Sequence, residues 1–191
     1  MGEILEFTVN PNLIDLFEKQ AEQKILSEGW AKQGRNVDLK ADNFVHCWIT
    51  EEAFKQILIQ NRAWFRYRGM YFGDASGAGA DFTVRIDGKE VTIGLRSIAP
   101  DSLLKYKTVA YPDDRFQHEQ DKIADYHIVC QELDGLTRFF GTISKSDLLV
   151  ALEKSQRLYS ARNQEHFRVV PLENFSLDTL HELLQKVEKV Y

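Results

Sequence analysis

The spacing of apolar positions changes several times along the chain, and each change marks an element. Leu13, Ile14, Phe17, Ala21 and Ile25 recur at helical spacing between Pro11 and Gly29, which predicts an amphipathic helix over residues 12–27. Thr50, followed by Glu51 and Glu52, has the form of an N-cap with an acidic first turn. Phe54, Ile57 and Leu58 then face inward from a second helix ending near Asn61. From Trp64 the pattern becomes that of strands, over 64–72, 81–86 and 90–98. Asp87-Gly88 joins the last two and predicts a hairpin, because the favoured two-residue turn places both residues at positive φ.

After Pro100 a short helix is expected over 101–107, then an irregular polar stretch through Pro112-Asp113-Asp114. Strands over 126–132 and 137–143 flank a turn at Asp134-Gly135. Ser144, with Asp147 three residues on, resembles a capping box for a helix over 145–155. A strand over 167–170 meets Pro171, and Ser176 caps a last helix whose Leu177, Leu180, Leu183, Leu184 and Val187 share one face. Strands that cluster, instead of alternating regularly with helices, predict an α/β protein of the α+β kind, with helices packed on an antiparallel or mixed sheet.

Composition narrows this picture. The 191 residues contain no repeat and no Pro/Ser-rich linker, so residues 1–191 are expected to form one domain. Within it a helical part covers 1–63, and a sheet core with a C-terminal helix covers 64–191. Cys47 and Cys130 lie far apart and form no C-x-x-C pair, so buried thiols are expected, and the five histidines show no zinc spacing with them. No uncharged run approaches the ~18 residues that span a membrane, and Met1–Glu6 has no signal-like character, which points to the cytoplasm and away from a membrane.

The net charge of −5 excludes a globally basic polyanion binder, so any nucleic-acid surface has to be local. Basic residues do gather between Arg62 and Lys107. Arg66 and Arg68 alternate with Phe65, Tyr67 and Tyr71, an arrangement that can stack bases and contact phosphates; the plainer reading is an aromatic core face with exposed arginines. Lys105 and Lys107 extend the candidate nucleic-acid set. The stretch Gly73-Asp74-Ala75-Ser76-Gly77-Ala78-Gly79 lacks the Gly-Lys-Ser/Thr of a phosphate loop and reads as a flexible turn, although Asp74 could reach a neighbouring site.

The three strands with their hairpin, from Ala80-Asp81-Phe82 through Val91-Thr92-Ile93-Gly94-Leu95-Arg96-Ser97-Ile98, resemble the core of the PD-(D/E)XK nuclease superfamily. Glu119–Tyr126 leading into a strand, Phe139–Lys145 leading into a helix, and Phe167–Leu172 extend the resemblance over about residues 64–185. It implies a restriction endonuclease-like mixed sheet flanked by helices. In that family an Asp and a second carboxylate hold Mg²⁺, and a Lys two residues further on orients or activates water, because hard oxygen ligands and a cation stabilise charge on the attacked phosphate. Asp81 matches the first position, as a catalytic residue and Mg²⁺ or Mn²⁺ ligand. Gly94 and Arg96 stand at the other two.

Gly94 offers no ligand, and Arg96 cannot act as a base. Glu90 points to the same strand face as Gly94 but lies about 13 Å along it. Glu18 matches the acidic residue that many members carry on an early helix, though it equally suits a solvated helix face. A salt bridge from Arg96 to Asp81 is expected, because a charge in an apolar strand needs a partner. Three functions follow. One is a catalytically lapsed relative that binds DNA, RNA or a protein partner. Another is a Mg²⁺- or Mn²⁺-dependent nuclease with a rearranged site around Asp81. The third is an α/β interaction domain, such as a homodimer, with no nucleic-acid role.

Overall fold

The computed structural model describes residues 4–28, 37–69, 80–98, 100–161 and 165–190. β1 (Leu5–Thr8) leads into α1 (Pro11–Glu28), and α2 (Val37–Gln60) follows. A meander of β2 (Phe65–Tyr67), β3 (Phe82–Ile86) and β4 (Lys89–Ser97) comes next. Then come α3 (Pro100–Tyr106), β5 (Thr108–Pro112), α4 (Asp113–His118), β6 (Tyr126–Leu133) and β7 (Leu136–Ser144). The chain ends with α5 (Lys145–Lys154), β8 (Leu158–Ser160), β9 (Glu165–Pro171) and α6 (Leu177–Lys186).

Six strands form one mixed sheet in the order β1-β7-β6-β4-β3-β2, and three form a smaller antiparallel sheet in the order β5-β9-β8. β4 and β6 pair in parallel, because α3, β5 and α4 carry the chain back across; β3 with β4 and β6 with β7 are antiparallel hairpins. Both hairpins turn as their sequences predict: φ is 50° and 74° at Asp87-Gly88, and 51° and 80° at Asp134-Gly135. Glu188 and Glu132 accept the N–H groups of Gly88 and Gly135, at 2.6 and 2.7 Å. The mixed sheet flanked by helices matches the expected fold class.

Alternation along the central strands feeds two cores. Phe82, Val84, Ile93, Ile128 and Phe139 meet α1, α2 and α6 on one face. Val129 and Ile143 meet Val109, Tyr111 and Val170 of the small sheet, together with Leu148 and Leu152 of α5, on the other. Phe54 of α2 sits edge-on to Phe82 with centroids 5.2 Å apart, and 5.9 Å from Phe139. Complete burial of such rings contributes roughly 2–3 kcal/mol each. β6 pairs Val129 with Gly141 and then Cys130 with Phe139, so β7 bulges at Phe140. Gly141 is required there: its φ is 144°, and a Cβ would stand 2.7 Å from the carbonyl carbon of Ser176.

Four expectations change. α2 starts at Val37, and Thr50 lies inside it with its hydroxyl donating to the carbonyl of Cys47 at 2.8 Å. Residues 48–54 are all buried, so this part of α2 runs through the interior and has no polar stripe to announce it. β1, β5 and β8 were not expected: each is short, β1 and β5 depend on partners remote in sequence, and β8 is a three-residue strand against the adjacent β9. The polar stretch after residue 107 is accordingly strand β5 followed by helix α4. Finally, Cys130 is buried as expected but Cys47 is exposed.

Other expectations hold locally. Ser144 accepts the N–H of Asp147 at 3.2 Å and caps α5; Ser176 accepts that of Thr179 at 3.1 Å and caps α6. The Gly29 stop, residues 70–72 of the first strand and the glycine-rich turn with Asp74 lie outside the described residues.

Candidate functional site

Asp81 stands immediately before β3, and its N–H donates to the Ile93 carbonyl at 3.0 Å, which sets it across from Gly94 on the neighbouring strand. Its carboxylate accepts the N–H of Leu95 at 2.7 Å and faces the Arg68 guanidinium at 3.9 Å. The expected salt bridge to Arg96 is not formed. Arg96 instead lies over the Tyr111 ring, 4.8 Å from its centroid, because β4 sends residue 96 toward the small sheet. Its charge still acts on Asp81 from a distance, as does that of Arg115.

The helical carboxylate beside Asp81 comes from α2. Glu51 is 8% exposed, and its Oε2 accepts the Tyr67 hydroxyl at 2.6 Å. Burial, then the charge of Asp81, push Glu51 up to about 8. Burial likewise raises Asp81, against the Leu95 N–H and the charges of Arg68, Arg96 and Arg115. Glu18, by contrast, is exposed on α1, whose contribution here is the buried Lys24, a cation acting on Glu51. A glutamate in a helix that is buried all round was the one available signal for Glu51, and the shorter helix expected from sequence had placed it in a solvated first turn.

The space in front of Gly94 is crowded. A Cβ built there would lie 3.3 Å from both Cε1 and Nδ1 of His127, so the imidazole would have to shift by a few tenths of an ångström to admit a side chain. Burial and the cations Arg96, Arg115 and Lys145 bring His127 down to about 3, so it is neutral at pH 7. The ligand pair of the PD-(D/E)XK pattern therefore does not fit here: one position has no side chain and faces the His127 imidazole, and the other carboxylate is held by a backbone N–H and an arginine. Among the described residues no three His, Cys, Asp or Glu side chains are placed to hold a metal ion.

The remaining candidates divide into two groups. Phe65 and Tyr67 pack on the core while Arg66 is exposed, as the plainer reading of the aromatic–basic segment expects; Tyr71 lies outside the described residues. Arg66 is paired with Glu90 at 2.5 Å, which offsets its charge. Lys105 and Lys107 are exposed around the end of α3, with Lys105 Nζ 5.0 Å from the Tyr106 ring centroid. A cleft of about 1000 Å³ opens between the N-terminal half of α2, the end of β4 and the small sheet, with Arg96, Tyr111 and Cys47 among its lining residues.

No family model, curated protein or solved structure matches the chain. The chain is thus a mixed α/β protein with a carboxylate pair, Glu51 buried and Asp81 partly buried, set among arginines. None of its described helices is long and apolar enough to cross a membrane.

Proposed function

We propose that this chain is a nuclease-fold protein of the PD-(D/E)XK type that has lost hydrolysis and binds nucleic acid through the cationic surroundings of Asp81. The observation that carries the proposal is the His127 ring in the space before Gly94. It supports a site converted to another use over one lacking a single ligand. The order of helix α2, meander β2-β3-β4 and parallel β6 supports the fold assignment, with Asp81 across from Gly94. Glu51 keeps its proton through most of the neutral range, so the carboxylate pair carries little more than one negative charge against Arg68, Arg96, Arg115 and Lys24. The excess is cationic, which favours phosphate contacts without an intervening metal. The cytoplasm, where unlinked thiols such as Cys130 persist, is the proposed setting.

The test is binding of labelled single- and double-stranded DNA and RNA at two salt concentrations, beside cleavage assays with Mg²⁺ or Mn²⁺. Salt-sensitive binding without cleavage, weakened in Arg68→Ala, is the expected result. Binding to none of the four would overturn it and turn attention to a protein partner or a homodimer.

One observation favours a second reading, a rearranged metal-dependent nuclease: the charge of Asp81 raises Glu51, and a divalent cation bound by two carboxylates and waters would relieve that repulsion. Cleavage that needs Mn²⁺ and disappears in both Asp81→Ala and Glu51→Gln would establish it.

A further inference from the structure

Behind Gly94 lies a group of polar atoms that neither reading uses. Both ring nitrogens of His127 and the hydroxyl oxygen of Tyr111 are buried without a hydrogen-bond partner among the described residues. Each of the two residues is only 4% exposed, and their rings meet edge-on with centroids 5.5 Å apart. Arg96 covers the Tyr111 ring and opposes the effect of burial on its hydroxyl, by its charge and as a nearby donor, although the hydroxyl has no partner at full hydrogen-bond geometry. A buried polar atom left unmet costs about 1–3 kcal/mol, so three of them on two touching rings are an expensive arrangement for packing alone. The charges that act on His127 are cationic, from Arg96, Arg115 and Lys145. Arg96 and Tyr111 line the cleft of about 1000 Å³, which connects their side of the group to solvent; Glu132 and Glu165 also line that cleft.

We propose that His127, Tyr111 and Arg96 form an oxyanion site at the inner end of this cleft, and that its ligand is a phosphomonoester. The neutral imidazole has one N–H to donate and one lone pair to fill. Tyr111 donates its O–H, and Arg96 supplies charge and further donors. A phosphomonoester presents three terminal oxygens to those donors. With its second ionisation near pH 6, it arrives at neutral pH as a dianion, whose charge favours protonation of the imidazole so that both ring nitrogens donate. A backbone phosphodiester and a carboxylate each present two oxygens and one negative charge, so they leave one buried donor unmet. Gly94 borders the site, because a Cβ there would press on the imidazole at 3.3 Å.

The site stands on its own residues; only its link to a nucleic-acid end rests on the function proposed above. The first measurement is a titration of the full-length chain with inorganic phosphate at pH 7, followed by calorimetry and by the His127 ring resonances in NMR. Saturable binding that moves those resonances is expected, with affinity reduced about tenfold or more in Tyr111→Phe and in Arg96→Met. Both substitutions spare the His127 packing, and circular dichroism verifies their folding. Phosphate that leaves the His127 resonances unmoved, or that binds both variants as tightly as the parent, would overturn the proposal.

A second arm compares 5′-phosphorylated and 5′-hydroxyl oligonucleotides of one sequence. Tighter binding of the phosphorylated strand assigns the site to nucleic-acid ends; equal binding, with inorganic phosphate still bound, assigns it to a free phosphomonoester. Phosphate binding in a chain that binds no oligonucleotide would uphold the site while overturning the proposed function.

Discussion

Asp113 and Asp81 are both carboxylates withdrawn from water, yet the protein treats them in opposite ways. Asp113, 2% exposed at the start of α4, receives Arg168 Nε at 2.6 Å and Arg157 Nε at 2.7 Å. Burial pushes it upward, but the hydrogen bonds and charges of the two arginines together hold it below its usual range. Arg168 is itself tied to the carbonyls of Leu152 and Ser155, at 3.1 and 2.7 Å, so Asp113 joins α4, α5 and β9 into one network. Among the described residues Asp81 has one backbone N–H at hydrogen-bond distance, an arginine 3.9 Å away and a second carboxylate, Glu51, in its field. There burial prevails and both acids are raised. Direct charge-assisted hydrogen bonds separate the two outcomes: where the geometry permits two, a buried acid is a structural joint, and where it does not, the acid stays responsive to protons and ligands.

The largest expected effect breaks the first half of that comparison. Asp113→Ala leaves Arg168 buried without its anion and should lower stability by about 3–5 kcal/mol in urea unfolding. A loss under about 1 kcal/mol would mean that the joint is dispensable.

Glu51→Gln tests the other half. An acid raised from 4.5 to about 8 holds its proton in the folded state across that window, so its contribution to stability is complete below 4.5 and is lost as pH rises toward and through 8. The amide should therefore be more stable than the parent at pH 8, on the order of 2 kcal/mol, and nearly equal to it at pH 5. His127 works in the reverse sense. Its folded value of about 3 lies below the ordinary 6.5, so unfolding takes up a proton and stability falls as pH drops from 6.5 toward 3.

Asp81→Asn removes the charge that helps to raise Glu51. The alkaline loss of stability should then shift downward by about one pH unit, measured by thermal unfolding between pH 6 and 9. An unmoved midpoint would attribute the state of Glu51 to burial alone. Arg157→Ala should have the smallest effect, about 0.5–1 kcal/mol, because its side chain is 52% exposed and Arg168 remains on Asp113.

Much of the fold was legible because its signals are local. The two Asp-Gly turns need only positive φ, and Ser144 and Ser176 need only the N–H three residues on. The Leu177–Val187 stripe carries its own period. Elements that depend on remote partners were not legible, as β1 on β7 and β5 on β9; nor were the three-residue strand β8, too short to show a period, and the first half of α2, whose buried centre erases its amphipathic pattern.

The site divides along the same line. Residue chemistry alone marked Asp81 as an acid at a strand entry and showed that Gly94 cannot bind a metal. It could not show that the early-helix carboxylate near Asp81 is Glu51, while Glu18 faces solvent. It also paired Arg96 with Asp81, whereas the strand directs Arg96 to Tyr111 and leaves Arg68 beside the acid. Local conformation and the inventory of chemical groups could be read from the residues, because dihedral preference and side-chain identity act within a few positions. Which groups meet, and how strongly each is charged, followed from the folded arrangement. Proximity and burial arise where strands and helices from distant parts of the chain converge, as when His127 of β6 fills the place beside Gly94 of β4.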